Sequence, residues 1–199
     1  MNAPILKDAT LVNDARKYSN SRRSFLKTLA YGSALAMSSP KLVHAAFSGF
    51  AYKNLSLEHH HTGDSLSITY YENGRYIDGA LAEIDHFFRD YHNNLVHHVD
   101  PALLDQLHDV KLLLGIKQPF HIVSAYRSPE TNANLRRHQR GVAKHSLHME
   151  GKAVDIRIEG ISVKTIRDAA LTLQRGGVGY YPLENFVHLD TGEQRTWRR

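Results

Sequence analysis

Ser146-Leu147-His148-Met149-Glu150-Gly151-Lys152-Ala153-Val154-Asp155-Ile156-Arg157-Ile158 is the stretch from which the rest of the chain can be placed. From Lys152 onward apolar and polar residues alternate, with Val154, Ile156 and Ile158 on one face and Ala153, Asp155 and Arg157 on the other, which reads as a strand. The apolar face must be the buried one, so Asp155 lies on the face that can line a cleft. Gly151 permits a turn between His148 and the strand, so that both side chains reach the same edge. Further on, Phe186-Val187-His188-Leu189-Asp190 reads as a second short strand, whose His188 and Asp190 share a face. Side by side, the two strands would assemble two imidazoles and one carboxylate. That set suits zinc, and three protein ligands leave a fourth position open for water, as catalytic rather than structural sites do.

Working outward, Asn54–His59 and Ser65–Tyr70 each alternate apolar and polar residues across His61-Thr62-Gly63-Asp64, and read as a β-hairpin. Leu81, Ile84, Phe87, Phe88 and Tyr91 fall on one face of a helix predicted over Asp78–Tyr91. Asp100-Pro101 starts a second helix with the buried stripe Leu103, Leu104, Leu107, Val110 and Leu113, stopping at Gly115. Phe120–Ala125 reads as a strand, and Ser128-Pro129-Glu130 opens a short helix. The basic residues 136–145 read as an exposed loop at the mouth of the site. Ser162 caps a helix ending at Gly176-Gly177, and Val178–Tyr181 pairs with Phe186–Asp190 across a turn at Pro182. Strands and helices mixed without regular βαβ alternation indicate an α+β fold, one domain with a largely antiparallel sheet flanked by helices.

The N-terminus sets the compartment. Ser21-Arg22-Arg23-Ser24-Phe25-Leu26-Lys27 and the small, apolar run Thr28–Met37 form a twin-arginine export signal, and Val43-His44-Ala45 places its cleavage after Ala45. Residues 1–45 are then the signal and residues 46–199 the mature domain. The expected partner is the twin-arginine export machinery and the expected location the periplasm. The signal holds seven of the 25 Lys and Arg but two of the 20 Asp and Glu, leaving 18 of each in the mature chain. The basic character belongs to the signal, so nucleic acid is not an expected partner. The apolar run is too short for a membrane span, and none is expected in the mature chain. With no cysteine, disulfides, thiolate nucleophiles and zinc-thiolate sites are excluded.

The pattern Ser146-x-His148-x-x-Gly151-x-Ala153-x-Asp155, followed by a later strand histidine, resembles the signature of the zinc D-Ala-D-Ala carboxypeptidase family and its hedgehog-like relatives. The resemblance extends to the murein endopeptidase K branch of that family through His61-Thr62-Gly63, His86-Phe87-Phe88-Arg89-Asp90-Tyr91, Tyr126-Arg127-Ser128, Gly176-Gly177-Val178-Gly179-Tyr180-Tyr181-Pro182 and Phe186-Val187-His188. It implies a hedgehog and D,D-peptidase-like fold, one zinc per chain held by His148, Asp155 and His188, and peptidoglycan as the partner. The implied activity is hydrolysis of peptide cross-links involving meso-diaminopimelate. The alternatives are a D,D-carboxypeptidase acting on stem peptides, a non-catalytic zinc-dependent peptidoglycan-binding module, and action on a non-wall peptide.

Related carboxypeptidases place an acid three residues before the last zinc histidine, where this chain has Asn185. For the general base the sequence therefore offers Asp190 first and Glu184 second. Arg127 matches the family's arginine and could bind a substrate carboxylate or steady a developing oxyanion. Ser146 reads as a loop hydrogen-bonding residue rather than a nucleophile. His59 to His61, His97 and His98 read as solvated; among His121, His138 and His145, the last is best placed for substrate. Phe87 and Phe88 read as core, and Arg136, Arg137, Arg140 and Lys144 as a solvated loop.

Overall fold

The computed structural model describes residues 51–139 and 141–199. The export signal read over residues 1–45 lies outside them. The strands are β1 (Tyr52–His59), β2 (Ser65–Glu72), β3 (Arg75–Tyr76), β4 (Phe120–Ser124), β5 (Ala153–Ile158), β6 (Gly177–Tyr181), β7 (Phe186–Asp190) and β8 (Arg195–Arg198). They form one sheet in the order β3-β2-β1-β4-β5-β7-β6-β8. All neighbours are antiparallel except β1 with β4 and β6 with β8. The α+β reading, with its mostly antiparallel sheet, holds.

Four helices of at least ten residues stand among the described residues: α1 (Asp78–Phe87), α2 (Pro101–Leu114), α3 (Pro129–His138) and α4 (Val163–Leu173). Their starts are built as the sequence implies. The side chains of Asp100, Ser128 and Ser162 accept from the backbone N–H of Ala102, Thr131 and Thr165, each cap being worth about 1 kcal/mol. Gly115 closes α2 at φ +62°.

The sheet has one apolar and one polar face. Leu55, Leu57, Phe120, Ile122, Val154, Ile156, Ile158, Val178, Val187 and Leu189 are all buried. Leu103, Leu107 and Val110 of α2 and Ile166, Ala170 and Leu173 of α4 are buried with them. Each of the Val, Leu, Ile and Phe side chains among them contributes about 1.5–3 kcal/mol of burial. The opposite face carries Ser56, Glu58, His121, Asp155, Arg157, Phe186, His188 and Asp190 in cross-strand register, with Glu58 opposite His121, His121 opposite Arg157, and Asp155 opposite His188. The packing of helices on the other side leaves this face to the chemistry.

Several boundaries differ from the sequence reading. Helix α1 ends at Phe87, not Tyr91, because the buried Asp90 carboxylate takes the N–H groups of His92 and Ser128. Arg136, Arg137 and His138 belong to α3 rather than to a loop. Helix α4 ends at Leu173 with Gln174 in the left-handed region, φ +50°. Gly177 is reserved for another purpose: a Cβ there would strike the Asp190 carboxylate. Strands β3 and β8 were not foreseen. No helix among the described residues is long and apolar enough to cross a membrane.

Candidate metal centre

A 3-10 turn, Leu147–Glu150, delivers His148 to the start of β5. It ends on Gly151 at φ +65°, where any Cβ would also run into the carbonyl of His98. This position therefore requires glycine twice over, by backbone conformation and by space. Strand β5 supplies Asp155, and β7 supplies His188 directly across the ladder. All three side chains are buried.

Their ligand atoms converge. Asp155 Oδ1 lies 2.8 Å from His188 Nδ1 and 3.4 Å from His148 Nε2, and the two imidazole nitrogens are 3.2 Å apart. Ligands at about 2.0–2.1 Å around a tetrahedral zinc stand roughly 3.3 Å from one another. The triad is therefore spaced to accept such an ion with little movement. The opposite nitrogen of each ring is also engaged. His148 Nδ1–H donates to the Ala125 carbonyl at 2.6 Å, and His188 Nε2–H donates to Asp190 Oδ2 at 2.9 Å. These bonds fix the tautomers that point Nε2 of His148 and Nδ1 of His188 inward, as metal-ligating histidines require.

Charge follows the geometry. Burial depresses the pKa of His148, against the pull of Asp155, so that ring is neutral. Burial also opposes protonation of His188, but its bonds to Asp155 and Asp190 prevail and raise its pKa to about 9. For Asp155, burial alone would raise the pKa; the two histidines outweigh it and hold the carboxyl far below its ordinary range.

Asp190 is fully buried and wholly engaged. Besides His188, it accepts from the N–H groups of Gly177 and Gly192, both at 2.9 Å, and from both ends of the Arg195 guanidinium at 3.1 and 2.7 Å. Burial pushes its pKa up, but these donors win and keep it far below the usual carboxylate range. It meets His188 on the ring nitrogen facing away from the triad. Glu184 stands exposed on the turn that joins β6 to β7. Arg127 donates its N–H to the His148 carbonyl, and its guanidinium reaches Ser124 Oγ at 3.2 Å and Asn132 Oδ1 at 3.4 Å. Among the described residues it has no carboxylate partner.

The other histidines fall outside this cluster. His59 is buried, not solvated, with Nδ1 accepting from the N–H groups of His61 and Thr62, and burial lowers its pKa to about 4. His145 is exposed and His138 caps its own helix.

The match to a family model described as "Peptidoglycan L,D-endopeptidase MepK" runs over residues 48–197, from before β1 through the triad to β8. The chain belongs to that family. Peptidoglycan L,D-endopeptidase MepK of Escherichia coli strain K12 is 44% identical over 183 residues, covering 91% of this chain and 99% of that protein. The probable peptidoglycan L,D-endopeptidase MepK of Haemophilus influenzae is 39% identical over 145 residues, or 72% of this chain and 78% of that one. Within the endopeptidase family frame, some supports of the site carry no side-chain signature. Ala125 acts through its carbonyl, which composition cannot reveal. Arg195 and Trp197 lie on a four-residue strand too short for alternation to declare. The Trp197 ring sits 5.1 Å from that of His188, over Gly179, and donates to the Tyr181 hydroxyl at 2.9 Å. Tyr181 stacks on Phe186, centroids 4.4 Å apart, completing an aromatic wall beside the triad.

Proposed function

We propose that the protein is an exported, zinc-dependent peptidoglycan endopeptidase that cuts peptide cross-links involving meso-diaminopimelate, with His148, Asp155 and His188 as the metal ligands. The observation that carries this is the triad itself, whose buried ligand atoms lie within 4.8 Å of one another while each ring's other nitrogen is held. Family membership supplies the substrate class. When bound, zinc would polarise the scissile carbonyl and acidify a water.

The chain's own residues do the rest. Ala125 and Asp190 hold the imidazoles in register. Arg127, uncommitted to any carboxylate among the described residues, offers N–H donors to a substrate carboxylate or to a carbonyl oxygen gaining charge. Asp190 serves as the partner that orients His188 rather than as the general base, because all its acceptor capacity is consumed and its low pKa makes it a poor proton acceptor. Glu184 is the remaining candidate for proton transfer. Cleavage of wall polymer demands a location outside the cytoplasm, which the twin-arginine signal over residues 1–45 would provide.

The test is digestion of purified peptidoglycan by the zinc-loaded mature chain, with muropeptides identified by mass. Loss of cross-linked dimers with the wild type and none with His188→Ala is expected. Release of terminal residues without loss of dimers would instead indicate a carboxypeptidase, and no product from a zinc-bound preparation would indicate a binding module. Glu184→Gln, included in the same series, is expected to lose turnover while keeping its zinc.

A further inference from the structure

Beyond the triad along β5, at the Arg157 end of the strand, lies a cavity of about 470 Å³ whose lining includes His121, Arg157, Glu159, Ile161 and Asn185. Arg157 follows Asp155 on β5 by one strand repeat, so the two project from the same face with α-carbons about 6.8 Å apart. The guanidinium is half-buried and has no carboxylate partner among the described residues. Its one hydrogen bond among the described residues goes to a neutral acceptor: Nη2–H donates to His60 Nδ1 at 2.8 Å. Burial and the adjacent guanidinium both lower the pKa of His60, so that ring stays an acceptor and fixes the arginine without neutralising it. Nearby, Glu58 lies against His121 rather than Arg157, with His121 Nδ1 3.4 Å from Glu58 Oε2. A cation oriented in this way, with most of its five donors free, is a fork waiting for an anion.

Resting on the peptidoglycan endopeptidase reading above, we propose that Arg157 binds the free carboxylate at the far end of the diaminopimelate side chain, in the residue whose other carboxyl forms the scissile bond. With that bond at the triad, the side chain spans one strand repeat and reaches the cavity. Glu159 on the cavity wall complements the ammonium carried on the same carbon. Arg157 thereby acts as a specificity determinant, rejecting a lysine, which lacks this carboxylate, or a diaminopimelate amidated there.

Two cross-linked peptides identical except for a free acid or a carboxamide at that position test the idea. The wild-type holoenzyme is expected to prefer the free acid by on the order of 30-fold in kcat/KM, the size of a charge-assisted pair, mostly through KM. Arg157→Gln should lower cleavage of the acid by a similar factor and leave the amide unchanged, so that the preference disappears. Arg157→Lys should keep part of the preference, which also guards against a folding defect in the glutamine variant. Equal cleavage of both peptides by the wild type overturns the proposal. So does an Arg157→Gln protein that loses activity on both alike, the behaviour of an arginine that merely props up His60. Failure of the endopeptidase reading looks different: the wild type would then cleave neither peptide.

Discussion

Replacing Asp190 with asparagine separates two roles that a buried carboxylate next to a metal ligand can have. The change keeps shape but turns one oxygen into an NH2 group. If the remaining oxygen serves Gly177 and Gly192, the amide NH2 falls where Oδ2 accepted from His188 and Arg195. Donors would then face donors, unless His188 moves its proton from Nε2 to Nδ1, the atom needed for metal. Loss of such an outer partner typically weakens metal binding by about 10- to 100-fold. Stability of the metal-free protein should fall by about 1.5–3 kcal/mol, the value of one charged hydrogen bond. The Arg195 pair adds little, since its side chain is 45% exposed and rehydrates. Zinc affinity by chelator competition and unfolding of the metal-free form measure the two effects. Asp190→Asn should regain most of its activity at saturating zinc. A variant that binds zinc as tightly as the wild type yet stays inactive at every zinc concentration would refute this reasoning and restore Asp190 as the base.

Further tests follow from the same geometry. With His188 at a pKa of about 9 in the metal-free protein, zinc binding at pH 7 should release about one proton from this ring and none above pH 10, measurable by calorimetry in buffers of different ionisation enthalpy. The same raised pKa means that His188 stabilises the metal-free fold fully below its unfolded value of about 6.5, and that this contribution is lost as pH rises through about 9. Its midpoint of thermal unfolding should drop across that window and be restored by zinc. Gly151→Ala combines a left-handed backbone with collision against the His98 carbonyl and should cost about 1–3 kcal/mol or more in denaturant unfolding. In Gly179→Ala the new methyl would sit 2.6 Å from the Trp197 ring. Because Trp197 is the single tryptophan, its displacement should change the intrinsic fluorescence directly.

Strand β5 was legible because one face takes large apolar side chains and the other takes Asp155 and Arg157, and period-two alternation records that difference although both faces are largely buried. The first hairpin and the caps at Asp100, Ser128 and Ser162 were legible for a similar reason, since each relies on local chemistry. What escaped depends on partners distant in sequence. Helix α1 stops early because Asp90 reaches across to Ser128, which no window of sequence contains. Gly176 and Gly177 look like a helix stop, yet Gly177 is small to make room for Asp190. The triad could be proposed from motif and spacing. That Asp190 faces the wrong nitrogen of His188 to meet the metal could not, because strand parity places two side chains on one face without saying which ring atom each will touch.

The five-fold engagement of Asp190 also imposes an order of events. The site draws on Ala125, His148, Asp155, His188 and last on Arg195, and synthesis proceeds from the N-terminus at about 5–20 residues per second. Until Arg195 and Gly192 have emerged, Asp190 lacks three of its donors and His188 lacks a settled tautomer. For about a second of translation or less, the seven residues from His188 to Arg195, the chain thus holds every proposed zinc ligand without the scaffold that aims them. On the reading proposed above, the centre is aimed only once β8 is in place, so a copy cut short before Arg195 lacks the contacts that hold His188 in register.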